Sequence, residues 1–210
     1  LEIKIKKHRL IEIEWPNFGE ATPPPPVEVG EFQARIEAAR AAMAQAGLGH
    51  LVVYGDREHF ANLAYLTGFD PRFEEALLVI AGQGHPLVIV GNECEGYLPI
   101  SPLYRAGQLR SERFQPFSLL DQPRQQSRLI KDILAGEGIG AGSRVGTVGW
   151  KYFGEGEQPQ ARHALEIPAY LVDTLRELAG WENVTNRTDL LMHPGHGLRT
   201  VCSPAEIAYF

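Results

Sequence analysis

The chain is poor in the features that usually announce a function. Only two of its 210 residues are cysteines, Cys94 and Cys202, and they stand in no metal-binding or redox spacing. That argues against a disulfide framework and for a reduced, cytoplasmic setting. No apolar run approaches the roughly 18 residues of a membrane span, and no secretory leader is visible. Positive charge is scarce as well. Against 26 Asp and Glu there are 20 Lys and Arg, which leaves a net charge of −6 and disfavours nucleic acid or an anionic membrane as partner. There is no Gly-x-Ser-x-Gly elbow, and the stretch "AGEGIGAGSRVG" lacks the Lys-Ser/Thr of a phosphate loop. In "HPGH", Pro194 and Gly195 separate His193 from His196 and preclude the helical presentation that metal pairs usually need. His50, His59, His85 and His163 lie in unrelated segments, so neither a metal nor a cofactor site is expected in this chain.

What is present is ordinary for a globular protein: 44% hydrophobic and 22% charged residues, in a length that suits one large domain or two small ones. At the start, Leu1, Ile3 and Ile5 alternate with Glu2, Lys4 and Lys6, a period-two strand signal that breaks at Leu10-Ile11. Four prolines, Pro23–Pro26, follow and favour an extended polyproline segment. Residues 1–26 read as an arm lying across the domain or a partner; a partly disordered leader is the competing reading for the first ten.

From residue 27 onward strands and helices alternate. Phe32, Ile36, Ala39 and Met43 form one helical stripe, which Gly47 stops. "LVVY" at 51–54 predicts a buried strand, and Asp56 a cap on a following helix. "EALLVIAGQGHPLVIVG" predicts two apolar strands around Gly82-Gln83-Gly84, covered on both faces. Asp121 to Ala135 predicts a helix with Leu129, Ile130, Ile133 and Leu134 inward, and residues 143–150 predict a strand. "IPAYLVDTLRELAG" is a clear helix with Leu171, Val172, Leu175 and Leu178 on one face. The fold class is therefore α/β, with a mixed or mostly parallel sheet between helix layers.

The densest polar cluster is "GDREHFANLAYLTGFDPRFEE", with Asp56, Arg57, Glu58, His59, Asn62, Asp70, Arg72, Glu74 and Glu75 in about twenty residues. It falls where a strand end meets a helix, the usual ligand crevice of α/β folds. His59 then reads as a proton carrier oriented by a carboxylate. The bland reading has Phe60, Leu63 and Leu66 as a buried stripe and the charges facing water.

Three segments carry a resemblance. The helix "RIEAARAAMAQAGL", the strand "LVVYG" and above all "NLAYLTGFDPRFEEALLVI" resemble the N-terminal domain of the creatinase, prolidase and aminopeptidase P family of pita-bread metallopeptidases. The end, "GLRTVCSPAEIAYF", is similar to the family's linker into its catalytic domain, with Cys202 where lysine is usual. Ser203, Pro204 and Glu206 also make a capping box whose helix has only seven residues, too few to stand alone. The expectation is a domain excised from a protein about twice as long: an arm over 1–26, a creatinase N-terminal-like domain with a ribonuclease H-like motif over 27–198, and a linker over 199–210.

The resemblance implies a non-catalytic module that dimerises and overhangs the active site of an Xaa-Pro peptidase or creatinase-like hydrolase. The family's two divalent ions (Mn, Co or Zn) are held by two Asp, one His and two Glu of the catalytic domain. None of those motifs can be matched here, so no catalytic residue is carried over. The partners implied are a second copy and the chain's own catalytic domain. Arg57, His59, Asp70 and Arg72 are the candidate rim, selecting substrate by charge. The alternative is a self-sufficient small-molecule-binding or hydrolytic domain built on the Asp56–Glu75 cluster.

Overall fold

The structure, a computed structural model, describes residues 9–20 and 22–209. The strand signal at Leu1, Ile3 and Ile5 lies outside them. Residues 9–20 and 22–26 take up neither helix nor strand. The ordered elements are α1 (Val29–Gln45), β1 (His50–Gly55), α2 (Ala61–Thr67), β2 (Ala76–Ala81), β3 (Leu87–Val90), α3 (Asn92–Tyr97), α4 (Pro102–Arg105) and β4 (Arg110–Arg113). They continue with α5 (Ile130–Gly136), β5 (Val145–Val148), α6 (Ala169–Ala179), β6 (Val184–Asn186), α7 (Asp189–Met192) and α8 (Pro204–Tyr209).

The six strands make one mixed sheet in the order β4-β3-β2-β1-β5-β6. The pairs β1–β2 and β2–β3 are antiparallel; β1–β5, β5–β6 and β3–β4 are parallel. Side chains alternate across the pleat, so each central strand serves two cores. Leu51, Val53, Leu78, Ile80, Val88 and Val90 pack with the α1 and α2 layer, where Phe32, Ile36, Ala39 and Met43 are buried as their spacing predicts. Val52, Tyr54, Leu77, Val79 and Ile89 pack with Ile133 and Leu134 of α5 and Leu171 and Leu175 of α6. Burial on both faces is why these strands read as unbroken apolar runs. Among the described residues no helix is long and apolar enough to cross a membrane.

Two expectations fail for identifiable reasons. The helix expected over 121–135 begins only at Ile130, and Leu129 is 69% exposed. The chain before it is held as a loop by buried Gln115, whose Oε1 accepts the Gln126 N–H at 2.6 Å. The same side chain donates to Asn92 Oδ1, and Asn92 Nδ2 donates to the Pro123 carbonyl. Backbone groups that a helix would need are thus committed elsewhere. Asp56, secondly, does not cap α2. Its Oδ1 accepts the N–H groups of Glu58 and His59 at 2.9 and 2.7 Å, folding a turn that ends before the helix starts.

Candidate functional site

The sheet concentrates its polar chemistry along one margin. Parallel β1, β5 and β6 end there, and antiparallel β2 begins there, so Asp56, Gly149 and Glu75 come from distant segments to one edge. The Asp56 turn sets His59, whose Nδ1 lies 3.2 Å from Asp56 Oδ2. The His59 ring stacks on Trp150 at 4.6 Å between centroids, and the Lys151 ammonium lies 4.1 Å from that indole. Trp150 is fixed in turn, its N–H donating to Glu166 Oε2 at 2.7 Å. Partial burial pushes the Asp56 carboxyl up, but the His59 and Glu58 amides and the His59 ring outweigh it and hold it below its ordinary value.

On the same margin, Tyr170 donates its hydroxyl to Glu75 Oε2 at 2.8 Å. Burial and the Glu75 carboxylate both push the Tyr54 and Tyr170 phenols well up, so both remain protonated donors. Tyr54 and Glu75 line a cleft of about 500 Å³ together with Arg57, His59, Phe73, Phe117 and Arg124. Among the described residues Arg57 enters no hydrogen bond or ion pair, which leaves an exposed guanidinium at the mouth.

The four rim candidates are split. Arg57 and His59 share the cleft. Asp70 instead lines an apolar cavity of about 610 Å³ with Phe32, Phe69 and Ile100. Arg72, at φ +57°, donates its N–H to Asp70 Oδ1 and lays its guanidinium over Tyr97. Of the neighbouring carboxylates, Glu74 is structural: at 2% exposure it accepts the Cys94 N–H at 2.9 Å and the Glu93 N–H at 3.3 Å. It closes the start of α3 from outside the helix. Burial, with Glu74 close by, pushes the Cys94 thiol well up.

Asn62 and Tyr65 belong to a second assembly. Asn62 Nδ2 donates to the Gly149 carbonyl and its Oδ1 accepts from Arg199, both at 2.7 Å; Tyr65 donates to the Leu198 carbonyl at 2.9 Å. Arg35, 7% exposed, donates to the Tyr65 carbonyl and to Glu31, and lies 3.6 Å from Glu206. Glu206 completes the capping box with Ser203, in which each side chain accepts the other residue's N–H. Residues 198–206 are thereby clasped to α1 and α2.

Sequence reasoning missed Tyr54, Trp150, Glu166, Tyr170 and Arg124 as companions of His59 and Arg57. No local pattern links positions so far apart. Among the described residues no three His, Cys, Asp or Glu side chains converge on a metal-sized centre. His193 and His196 stack on each other at 3.7 Å, with His193 Nδ1 accepting the Gly195 N–H.

The six-stranded mixed sheet between two helix layers matches the N-terminal fold of prolidase-type peptidases. Residues 35–149 match the Creatinase/Prolidase N-terminal domain, and the chain belongs to that family. Among solved structures it is similar to dipeptidase PepE from Mycobacterium ulcerans, with 21% identity and a TM-score of 0.57 over 85% of this chain and 39% of that one. It is similar also to the Xaa-Pro dipeptidase from Bacillus anthracis (14%, TM-score 0.52, 84% and 38%) and the prolidase from Pyrococcus horikoshii OT3 (14%, 0.51, 83% and 37%). The chain thus spans less than two fifths of the length of these proteins. No curated protein matches it closely enough to serve as a relative.

Proposed function

We propose that this is the non-catalytic N-terminal domain of a larger Xaa-Pro peptidase or creatinase-like metallohydrolase, serving dimerisation and substrate access. The observation that carries the reading is coverage. One family fold accounts for 83–85% of this chain while occupying 37–39% of a dipeptidase, an Xaa-Pro dipeptidase and a prolidase. In this reading residues 1–26 are an arm, 27–198 the domain and 199–210 the linker. The parent protein is a cytoplasmic homodimer that holds two divalent ions in its other domain. The polar margin then overhangs a catalytic cleft, with Arg57 and His59 as selecting groups. A free guanidinium can grip a substrate carboxylate through two hydrogen bonds. Asp70 and Arg72 remain part of the proposed rim, on a neighbouring face.

The test has two arms. The isolated chain, given Xaa-Pro dipeptides with Mn²⁺, Co²⁺ or Zn²⁺, should show no turnover. Chelator-sensitive activity proportional to its concentration would instead establish a self-sufficient hydrolase built on the 500 Å³ cleft. In the parent enzyme, Arg57→Ala should raise KM about 5- to 10-fold with kcat changed less than about 2-fold. Unchanged kinetic constants would remove Arg57 from substrate selection.

A further inference from the structure

The most anomalous surface lies in the arm. Leu10, Ile11, Ile13, Trp15 and Phe18 are 64–103% exposed, five large apolar side chains within nine residues. Solvent-facing apolar residues are common singly, but a contiguous group of this size marks an interaction site. Ile11, Ile13 and Trp15 alternate with Glu12 and Glu14, the pattern of a strand with one apolar face. Pro16 closes the pattern, since it has no N–H to donate. Between this stretch and α1 stand Pro23–Pro26, all exposed. At about 3.1 Å per residue an extended tetraproline is a stiff spacer of about 12 Å. The segment has strand chemistry, no strand partner among the described residues, and a stiff spacer between it and α1.

The sheet has two edges, and they differ. Beyond β6 lies the 151–164 segment: Asn186 donates to the carbonyls of Lys151 and Ala164, and His163 Nδ1 sits 3.3 Å from the Val184 carbonyl. β4 is the other edge, and among the described residues no strand pairs with its outer side. Arg110, Arg113 and Arg128 rim it; each shares a carboxylate, yet each side chain stays 37–55% exposed. Leu129, the apolar residue that faces solvent against its pattern, follows Arg128, whose guanidinium reaches Glu112 of β4. An open edge and an uncovered leucine suit a strand with one apolar face.

We propose that the arm, residues 10–15, adds as a seventh strand to the β4 edge of a second copy, reciprocally across a two-fold axis. The inference rests on the proposed homodimer and assigns its contact. Symmetry supplies both halves: one arm and one β4 edge per copy are used reciprocally, so the contact closes at two copies. Size is adequate. Trp15 and Phe18 bring about 150–250 Å² each. Two exchanged arms with their backbone ladders therefore approach the roughly 1,200–2,000 Å² of a stable interface.

The experiment is sedimentation of the intact chain, a chain lacking residues 1–20, and two variants at exposed positions, Ile13→Lys on the arm and Leu129→Glu at the edge. Neither substituted side chain is buried, so circular dichroism should show all four folded. The intact chain should be a dimer, the shortened one a monomer, and each variant should dissociate at least about ten-fold more readily. A dimer that survives loss of the arm, or is indifferent to both substitutions, overturns the arm exchange while leaving dimerisation standing. An intact chain that stays monomeric up to roughly 100 µM overturns both.

Discussion

Gly149→Ala should lower the unfolding free energy by about 3 kcal/mol or more, because the site cannot yield. An added Cβ would overlap the Glu166 carbonyl oxygen. Relief by backbone shift is blocked on both sides of the residue. The Gly149 N–H donates to the buried Thr188 hydroxyl at 3.0 Å, and its carbonyl accepts from the buried Asn62 amide. Displacing residue 166 would release the Trp150 N–H from Glu166 and loosen the stack on His59. For a domain of this size the loss corresponds to a fall in Tm of about 6–12 °C. Gly82→Ala is the control: a Cβ there meets nothing within 4 Å, and stability should stay within about 0.5 kcal/mol. Equal stability of the two variants in urea unfolding would show that the 149–166 contact is easily relaxed.

Glu74→Ala is the second large effect expected, a loss of about 3 kcal/mol. The substitution strands two N–H groups at the start of α3, those of Glu93 and Cys94. Bonds from amides to a buried carboxylate contribute about 1.5–3 kcal/mol each, and the Ser118 Oγ that accepts the Asn92 N–H at 2.7 Å serves a different amide of α3. Glu74→Gln keeps the shape and one acceptor oxygen but turns an NH₂ group toward an amide, so about half the loss should remain. Loss of less than about 0.5 kcal/mol in the alanine variant would mean that α3 needs no such support.

These two residues show where sequence reading succeeds and where it stops. The α1 stripe, the β2–β3 hairpin and α6 were legible because burial acts on neighbours at fixed spacing: Phe32-Ile36-Ala39-Met43 and Leu171-Val172-Leu175 are all in the core. β4, Arg110-Ser111-Glu112-Arg113, was not, since an edge strand half in water has no need of apolar alternation. β6 was missed because three residues carry no period. Leu129 was placed inward on the strength of its apolar neighbours, and the Gln115–Asn92 network, invisible as a pattern, turned it outward. In the polar cluster, charge alone could not separate Glu74, which supports a helix, from Glu75, which holds Tyr170, or from Arg57, which is free. What distinguishes them is the partner each meets across the sheet, and that is set by topology. The family resemblance fared better, and its residues have structural roles: Asn62 and Tyr65 clasp the distant residues 198–199, and Gly68, at φ +67°, ends α2.

The position of β1 at the centre of the sheet also dictates an order of events. On one side His50 faces Ala81, a short way along the chain; on the other it faces Val145, far downstream. Closing the longer loop costs more entropy, so the β1–β2–β3 meander should form before β5 and β6 dock on it. Tyr54, His59 and Glu75 come with the early unit, whereas Trp150, Glu166 and Tyr170 arrive with the late one. The polar margin, where His59 meets Trp150 and Glu75 meets Tyr170, is therefore a seam between two stages of folding. It is the last feature to be completed, and a chain with a finished β1–β3 core can still lack it. Pulse-labelled hydrogen exchange during refolding would display this as protection of β2 amides ahead of those of β5; simultaneous protection would mean that sheet and margin condense in one step.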